Sequence, residues 1–203
     1  GCVWETAYTG MVGAVKKHSL ADWSDFESFV PPDPDQHNGM YPLNWEEVRK
    51  NERTAREKDL LFALGLPHGH TFLRIQDLRG YENLIYDMAA AHPNLDRLLG
   101  MVETFNLALI HRFIELKPDM ILLPEDLGMQ TSPMISPNMF RKYIKPVYLK
   151  MMQPISDAGI IAHQHSDGYI LDLVDDIISY GCDVINLQDL VNGIDNIQKH
   201  LKG

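Results

Sequence analysis

Two histidines and an aspartate fall at every second position in the stretch Ile160-Ile161-Ala162-His163-Gln164-His165-Ser166-Asp167-Gly168. An apolar run entering a polar tip and a glycine turn reads as a buried strand. Strand side chains alternate between faces, so His163, His165 and Asp167 project to one side. Two imidazoles and a carboxylate gathered there suit a borderline divalent ion such as zinc, which accepts nitrogen and oxygen donors at near-tetrahedral geometry. His165 is the stronger ligand candidate, because His163 lies deeper in the strand. The plainer reading has both rings hydrogen-bonded to backbone and loop groups inside a packed interior.

Three other polar tips follow apolar runs. Glu125 and Asp126 set two carboxylates side by side after 120–123, where crowding or burial can raise one pKa into the range of general acid or base catalysis. One of them could equally cap the loop that follows. Arg79 stands at the tip of a segment read as a strand over 71–75; its guanidinium could clamp a substrate carboxylate bidentately or form a structural pair with Asp77 or Glu82. Asn186 and Gln188 end the apolar run of 183–187 and would orient a ligand's polar groups or bond neighbouring strands.

The elements that must position these residues alternate in type. A strand over 1–6 is followed by a weaker apolar segment over 11–15 and an irregular, proline-rich connection over 31–39, of a length that is often functional. A helix starts at Asn44 as N-cap, takes Trp45, Val48, Leu60, Leu61 and Leu64 as apolar positions, and stops at Gly65. Helices over 82–91 and 95–116 flank His92-Pro93-Asn94. In the second, Leu95, Leu98, Leu99, Val102, Phe105, Leu109, Phe113 and Leu116 recur at steps of three and four, which makes a core-facing stripe. Ser136 caps a helix that runs to Asp157 with Pro146 and Pro154 as kinks or breaks. Further helices occupy 171–180, stopped by Gly181, and 194–201.

Strand and helix in alternation, without hairpin signals, imply parallel strands joined by right-handed crossovers. The expected fold class is α/β, a (β/α)8 barrel of TIM type, in one domain over 1–203. In such a barrel all strand tips open on one face, so the four polar tips meet there. Eight units take about 250 residues; about five strand units are recognisable here, so the chain is expected to be an incomplete barrel lacking both ends.

The formal net charge of −10 argues against a general nucleic-acid binder, which needs clustered Lys and Arg. The only cysteines, Cys2 and Cys182, form no C-x-x-C pair, so neither a disulfide scaffold nor a zinc ribbon is expected, and a reducing cytoplasm is the expected compartment. No run approaches the roughly 20 apolar residues of a membrane helix.

Several stretches, in order, resemble the uroporphyrinogen decarboxylase superfamily. They are Gly1-Cys2-Val3-Trp4-Glu5, Leu20-Ala21-Asp22-Trp23, Arg79-Gly80-Tyr81-Glu82, Glu125-Asp126-Leu127-Gly128, Ile135-Ser136-Pro137-Asn138-Met139-Phe140, His165-Ser166-Asp167-Gly168 and Gly181-Cys182-Asp183-Val184-Ile185-Asn186. The resemblance implies a (β/α)8 barrel and one of two chemistries. One branch decarboxylates a tetrapyrrole without a cofactor. The other passes a methyl group between a corrinoid protein and a thiol, with zinc activating the thiolate.

Pro-Glu-Asp-Leu-Gly at 124–128 is more similar to the methyltransferase branch than to the Phe-Asp-Ser-Trp-Ala-Gly of the decarboxylases. The methyltransferase zinc motif His-x-Cys-Gly falls on His165-Ser166-Asp167-Gly168, with Asp167 where the thiolate belongs. The resemblance therefore implies a zinc-assisted methyltransferase in which His165 and Asp167 hold the metal, and Glu125 or Asp126 completes its shell or manages the proton. It further implies a small-molecule substrate and a corrinoid (cobalamin) carried by a partner protein, and is compatible with a homodimer; neither nucleic acid nor membrane is expected. The rivals are porphyrinogen decarboxylation and a non-catalytic corrinoid- or tetrapyrrole-binding barrel.

Overall fold

The computed structural model describes residues 1–6, 8 and 13–201. At its centre four parallel strands lie in the order β3 (Ala63–Gly65), β4 (Met120–Pro124), β5 (Ile161–Ser166) and β6 (Val184–Leu187). Leu122 pairs with His163 and Pro124 with His165; His165 in turn pairs with Asn186. Ahead of this sheet, β1 (Val3–Glu5) and β2 (Ala14–Lys17) form a separate antiparallel ribbon with Trp4 opposite Val15. An antiparallel pair was not expected. Its connection is eight residues long and carries none of the two-residue turn signals by which hairpins are recognised. Met11 and Val12 of the weaker apolar segment lie outside the described residues.

Two further boundaries differ from the expected ones. Helix α1 (Trp45–Glu57) does start from Asn44, whose side chain accepts from the Glu47 N–H, but it ends before Leu60 and Leu61, which are 57% and 62% exposed. Asp59, with φ of +53°, turns the chain out of the helix. The Asp119 carboxylate then accepts the Phe62 N–H at 2.8 Å while held by Arg56, which seats 63–65 as a strand beside β4. Residues 72–79 form helix α2 (Phe72–Arg79), although Thr, Phe and Ile give its first turn a strand-like composition. Phe72, Ile75 and Leu78 recur every third residue and are all buried, so helical packing overrides local β preference.

The remaining helices follow the expected spacing, except the short one at Asp189–Asn192, which was not expected. They are α3 (Tyr81–Ala90), α4 (Pro93–Glu115), α5 (Pro137–Met139), α6 (Lys145–Asp157), α7 (Val174–Ser179), α8 (Asp189–Asn192) and α9 (Ile194–His200). Between α5 and α6, Phe140–Ile144 widens into a π-turn. Pro146 has no N–H to return to the Lys142 carbonyl, and its ring crowds that carbonyl, so the preceding turn opens. Pro154 sits within α6 without ending it.

Along β4 and β5 the alternation sorts two faces. Ile121, Leu123, Ala162 and Gln164 are buried on the helix side, in the core that holds Leu98, Leu109 and Ile110 of α4 and Tyr148, Met151 and Ile155 of α6. Leu122, Pro124, His163 and His165 lie on the other, more open face.

Beyond these strands, two glycines bring the β4 and β5 tips into backbone contact. A Cβ on Gly168, whose φ is +79°, would lie 2.3 Å from the Gly128 carbonyl carbon, and one on Gly128 would lie 2.5 Å from the Tyr169 nitrogen. Gly128→Ala and Gly168→Ala are each expected to cost about 2–3 kcal/mol in urea unfolding, since the clash is with backbone. Gly100→Ala, in the α4 interior with open space around it, is expected to be neutral or to stabilise by up to about 1 kcal/mol.

Candidate metal centre at the strand tips

Strand parity continues past β4 and separates its two carboxylates. Glu125 follows Ile121 and Leu123 to the helix side and is fully buried. Its Oε1 accepts the N–H groups of Thr71 (2.8 Å) and Leu73 (3.0 Å), and the Tyr148 hydroxyl donates to its Oε2. Glu125 thus caps the N-terminus of α2, where free N–H groups and the helix dipole favour an acceptor. Burial pushes its pKa up to about 7 against the opposing pull of these donors. The sequence reading has one of the two carboxylates capping the loop that follows; Glu125 instead caps a helix that precedes it, and it does not face the open side of the sheet.

Asp126 does. Its Oδ1 accepts the Asp167 N–H at 2.9 Å, and its Oδ2 stands 3.2 Å from His68 Nε2. His165 Nε2 lies 3.6 Å from Asp167 Oδ1 and 4.0 Å from Asp126 Oδ1. Asp126, His165 and Asp167 each offer a ligand atom, and these atoms lie within 4.8 Å of one another. Two carboxylate oxygens and an imidazole nitrogen at this separation fit a divalent cation.

Asn186 and Gln188 serve the cluster from behind. Asn186 Oδ1 lies 2.6 Å from His165 Nδ1, so it accepts that ring's proton and leaves Nε2 as the acceptor facing the carboxylates. Gln188 Oε1 accepts the Gly168 N–H, and buried Asn192 accepts the Ile170 N–H while donating to the Gly168 carbonyl. The backbone after Asp167 is held on both sides.

Three residues named from sequence lie elsewhere. His163 shares the face of His165 but sits two residues deeper and does not join the cluster. Arg79 ends α2 rather than tipping a strand, and it is 8% exposed. Its Nε donates to Asp87 at 2.7 Å, its Nη1 donates to the Leu20 and Ala21 carbonyls, and its guanidinium lies over the Trp23 ring. Its carboxylate partner is therefore Asp87, not Asp77 or Glu82. Glu125 is the third. Burial pushes the Cys182 thiol up to about 11, and it donates to the Val184 carbonyl at 3.1 Å.

Sequence reasoning missed two contributors, His68 and Asn192. With 63–65 assigned as a strand, Pro67-His68-Gly69 becomes its polar tip and His68 a site residue. Asn192 belongs to α8, a helix too short to leave a periodic signal.

Residues 8–201 match the family model described as uroporphyrinogen decarboxylase (URO-D). The chain belongs to this family. No curated protein matches it. Among solved structures, a methyltransferase from Methanosarcina mazei is similar with a TM-score of 0.72 at 16% sequence identity, over 99% of this chain and 57% of that one. At that identity the likeness concerns the fold, and the chain spans little more than half the neighbour's length. The expected TIM-type α/β class stands; among the described residues the barrel is represented by four parallel strands that do not close. No helix among the described residues is long and apolar enough to cross a membrane.

Glu125 gives URO-D-fold stability in this chain a pH dependence. Its folded pKa, about 7, lies above the ordinary 4.5. The folded state therefore holds the proton more tightly, and this contribution to stability is full below pH 4.5 and declines until about pH 7. Asp77, pushed by burial from 3.8 to about 6, acts in the same direction over a lower window. Glu125→Gln keeps an acceptor for the two N–H groups and is expected to flatten the decline between pH 5 and 7 in urea melts. Glu125→Ala is expected to lose about 3 kcal/mol, because two N–H groups and a hydroxyl are left unpaired.

Proposed function

We propose that Asp126, His165 and Asp167 form a zinc-type divalent metal centre serving methyl transfer from a corrinoid-bound or oxygen-bound methyl group to a thiol. The convergence of three ligand atoms within 4.8 Å, with the distal nitrogen of His165 tied to Asn186, carries the reading. The family membership and the methyltransferase-named neighbour support the chemistry. When bound, the metal would lower the pKa of the acceptor thiol and so supply a thiolate nucleophile.

The chain's own residues have definable parts. Asn186 fixes the tautomer and plane of His165. Asp126 presents Oδ2 outward while Oδ1 holds the Asp167 backbone, and His68 stands by Oδ2 as a fourth donor or as a proton carrier for the incoming thiol. Asp167, in the place of the motif's cysteine, makes the donor set harder and oxygen-rich. The methyl donor is read as a small molecule or a corrinoid presented by a partner protein.

The His68–Asp126 pair, 3.2 Å apart, also favours a second reading. An imidazole and a carboxylate in hydrogen-bond range can deliver a proton to carbon, as metal-free decarboxylation of a porphyrinogen acid requires.

Zinc titration of the purified protein against a chromophoric chelator separates the two. Asp126→Ala, His165→Ala and Asp167→Ala are each expected to weaken zinc at least about tenfold, and Asn186→Ala by about 10–100-fold through loss of ligand orientation. His163→Ala is expected to leave affinity unchanged. Zinc-dependent loss of methylcobalamin absorbance in the presence of a thiol should follow the same order. Failure of the protein to bind zinc would overturn the methyltransferase reading and favour decarboxylation. Zinc or corrinoid binding without turnover would indicate the non-catalytic barrel.

A further inference from the structure

A cavity of about 520 Å³ lies beside the β3 tip, lined by residues of β1, the segment 29–40, α2 and α4. Its volume falls within the range of small-molecule sites, about 300–1,000 Å³. The walls are mostly apolar: Phe29, Val30 and Met40 on either side of the proline-rich connection, Met101, Val102 and Phe105 from α4. None of the groups of the proposed metal centre lines it.

Arg74 lines this space beside His70, Asp77 and Asn106. Arg74, on α2, makes no hydrogen bond or ion pair with any described residue, and its Nη2 is buried without a partner. The side chain as a whole is half-buried; Arg79, which is buried, is held by Asp87. The backbone roof over Arg74 is close and specific. A Cβ on Gly39, whose φ is +94°, would lie 3.8 Å from Arg74 Nη2 and 3.4 Å from the Phe105 ring. The roof is ordered by its own bonds: Asn38 Oδ1 accepts the N–H groups of Met40 and Tyr41, and Leu43 N–H donates to the Gln36 carbonyl.

From the unpartnered Nη2 of Arg74 and the apolar walls we propose that this cavity binds a small organic carboxylate, with Arg74 receiving the carboxylate and Phe105, Phe29 and Met101 enclosing an aryl or alkyl group. The assignment does not rest on the metal centre or on the reaction proposed for it. Asp77 lines the same cavity and forms no ion pair with Arg74 within 4.0 Å. In this site it opposes an anion, so removing its charge strengthens binding. Its backbone carbonyl, which receives His18 and Cys2, is untouched by a side-chain change.

The test is calorimetric titration of the full chain with 3-phenylpropionate and with its uncharged amide. The acid is expected to bind saturably at one site, and the amide about tenfold or more weaker, as expected for loss of a charge-assisted pair. Arg74→Gln is expected to weaken the acid by a similar factor, and Asp77→Asn to tighten it about threefold or more. Equal binding of acid and amide would overturn the proposal, as would no saturable heat with either or wild-type affinity in Arg74→Gln. Should Arg74→Gln fail to fold by circular dichroism, the acid-to-amide ratio and Asp77→Asn decide alone. An unchanged or weaker affinity in Asp77→Asn then counts against the site.

Discussion

The register between β4 and β5 governs everything at the mouth of the sheet. Pro124 pairs with His165, and the next N–H, that of Glu125, donates to the His165 carbonyl. With period-two alternation this single pairing sends Glu125 into the helix layer and leaves Asp126 beside His165. A slip of one residue would exchange them, burying Asp126 where two N–H groups demand an acceptor and turning a glutamate toward the imidazole. The cap on α2 and the carboxylate of the proposed metal centre are thus two outcomes of one choice.

That choice is secured from outside the strands. Glu125 couples β4 to α2 and, through Tyr148, to α6; Tyr148 stacks on Tyr180, whose hydroxyl donates to Gln164 of β5 at 2.5 Å. The chain of contacts returns to the neighbouring strand on its buried face. On the open face the Gly128–Gly168 approach, with Met129 bridged to Tyr169, joins the two tips beyond the last ladder bond. Between these ties Asp126 and Asp167 have little freedom to separate, and the donor set is held in place by backbone more than by side chains.

How much of this was legible in the sequence follows from the range over which each signal acts. Strands β4, β5 and β6 are short apolar runs bounded by glycine or proline, and α4 carries an unbroken stripe, so both kinds of element declare themselves locally. Parity alone placed His165 and Asp167 together, and the same rule applied to 120–126 would have separated Glu125 from Asp126. Strand β3 was hidden because three residues after two exposed leucines extend a helical pattern that physically ends at Asp59. Helix α2 was hidden because its N-terminus is set by Glu125, more than fifty positions away in sequence. Arg79 looked available for a ligand because its partner, Asp87, lies on the next helix across the turn at Gly80. His68 stayed invisible for as long as β3 did.

The oxygen-rich character of the centre has an energetic consequence. Two carboxylates whose oxygens lie within 4.8 Å repel by about 3–4 kcal/mol at an effective dielectric near 20, less where water screens them. Asp167 is 57% exposed, so part of that cost is relieved by solvent, whereas Asp126 is the more enclosed of the two. The Asp167 N–H on Asp126 Oδ1 and the imidazole of His68 on Oδ2 offset the rest on one side only. The divalent cation proposed for this cluster would remove the repulsion on both sides. Its binding energy would then add to the stability of the β4–β5 tips, because the unfolded chain does not hold the two aspartates together. The ties that keep Asp126 and Asp167 close would thus spare a bound ion the work of assembling them.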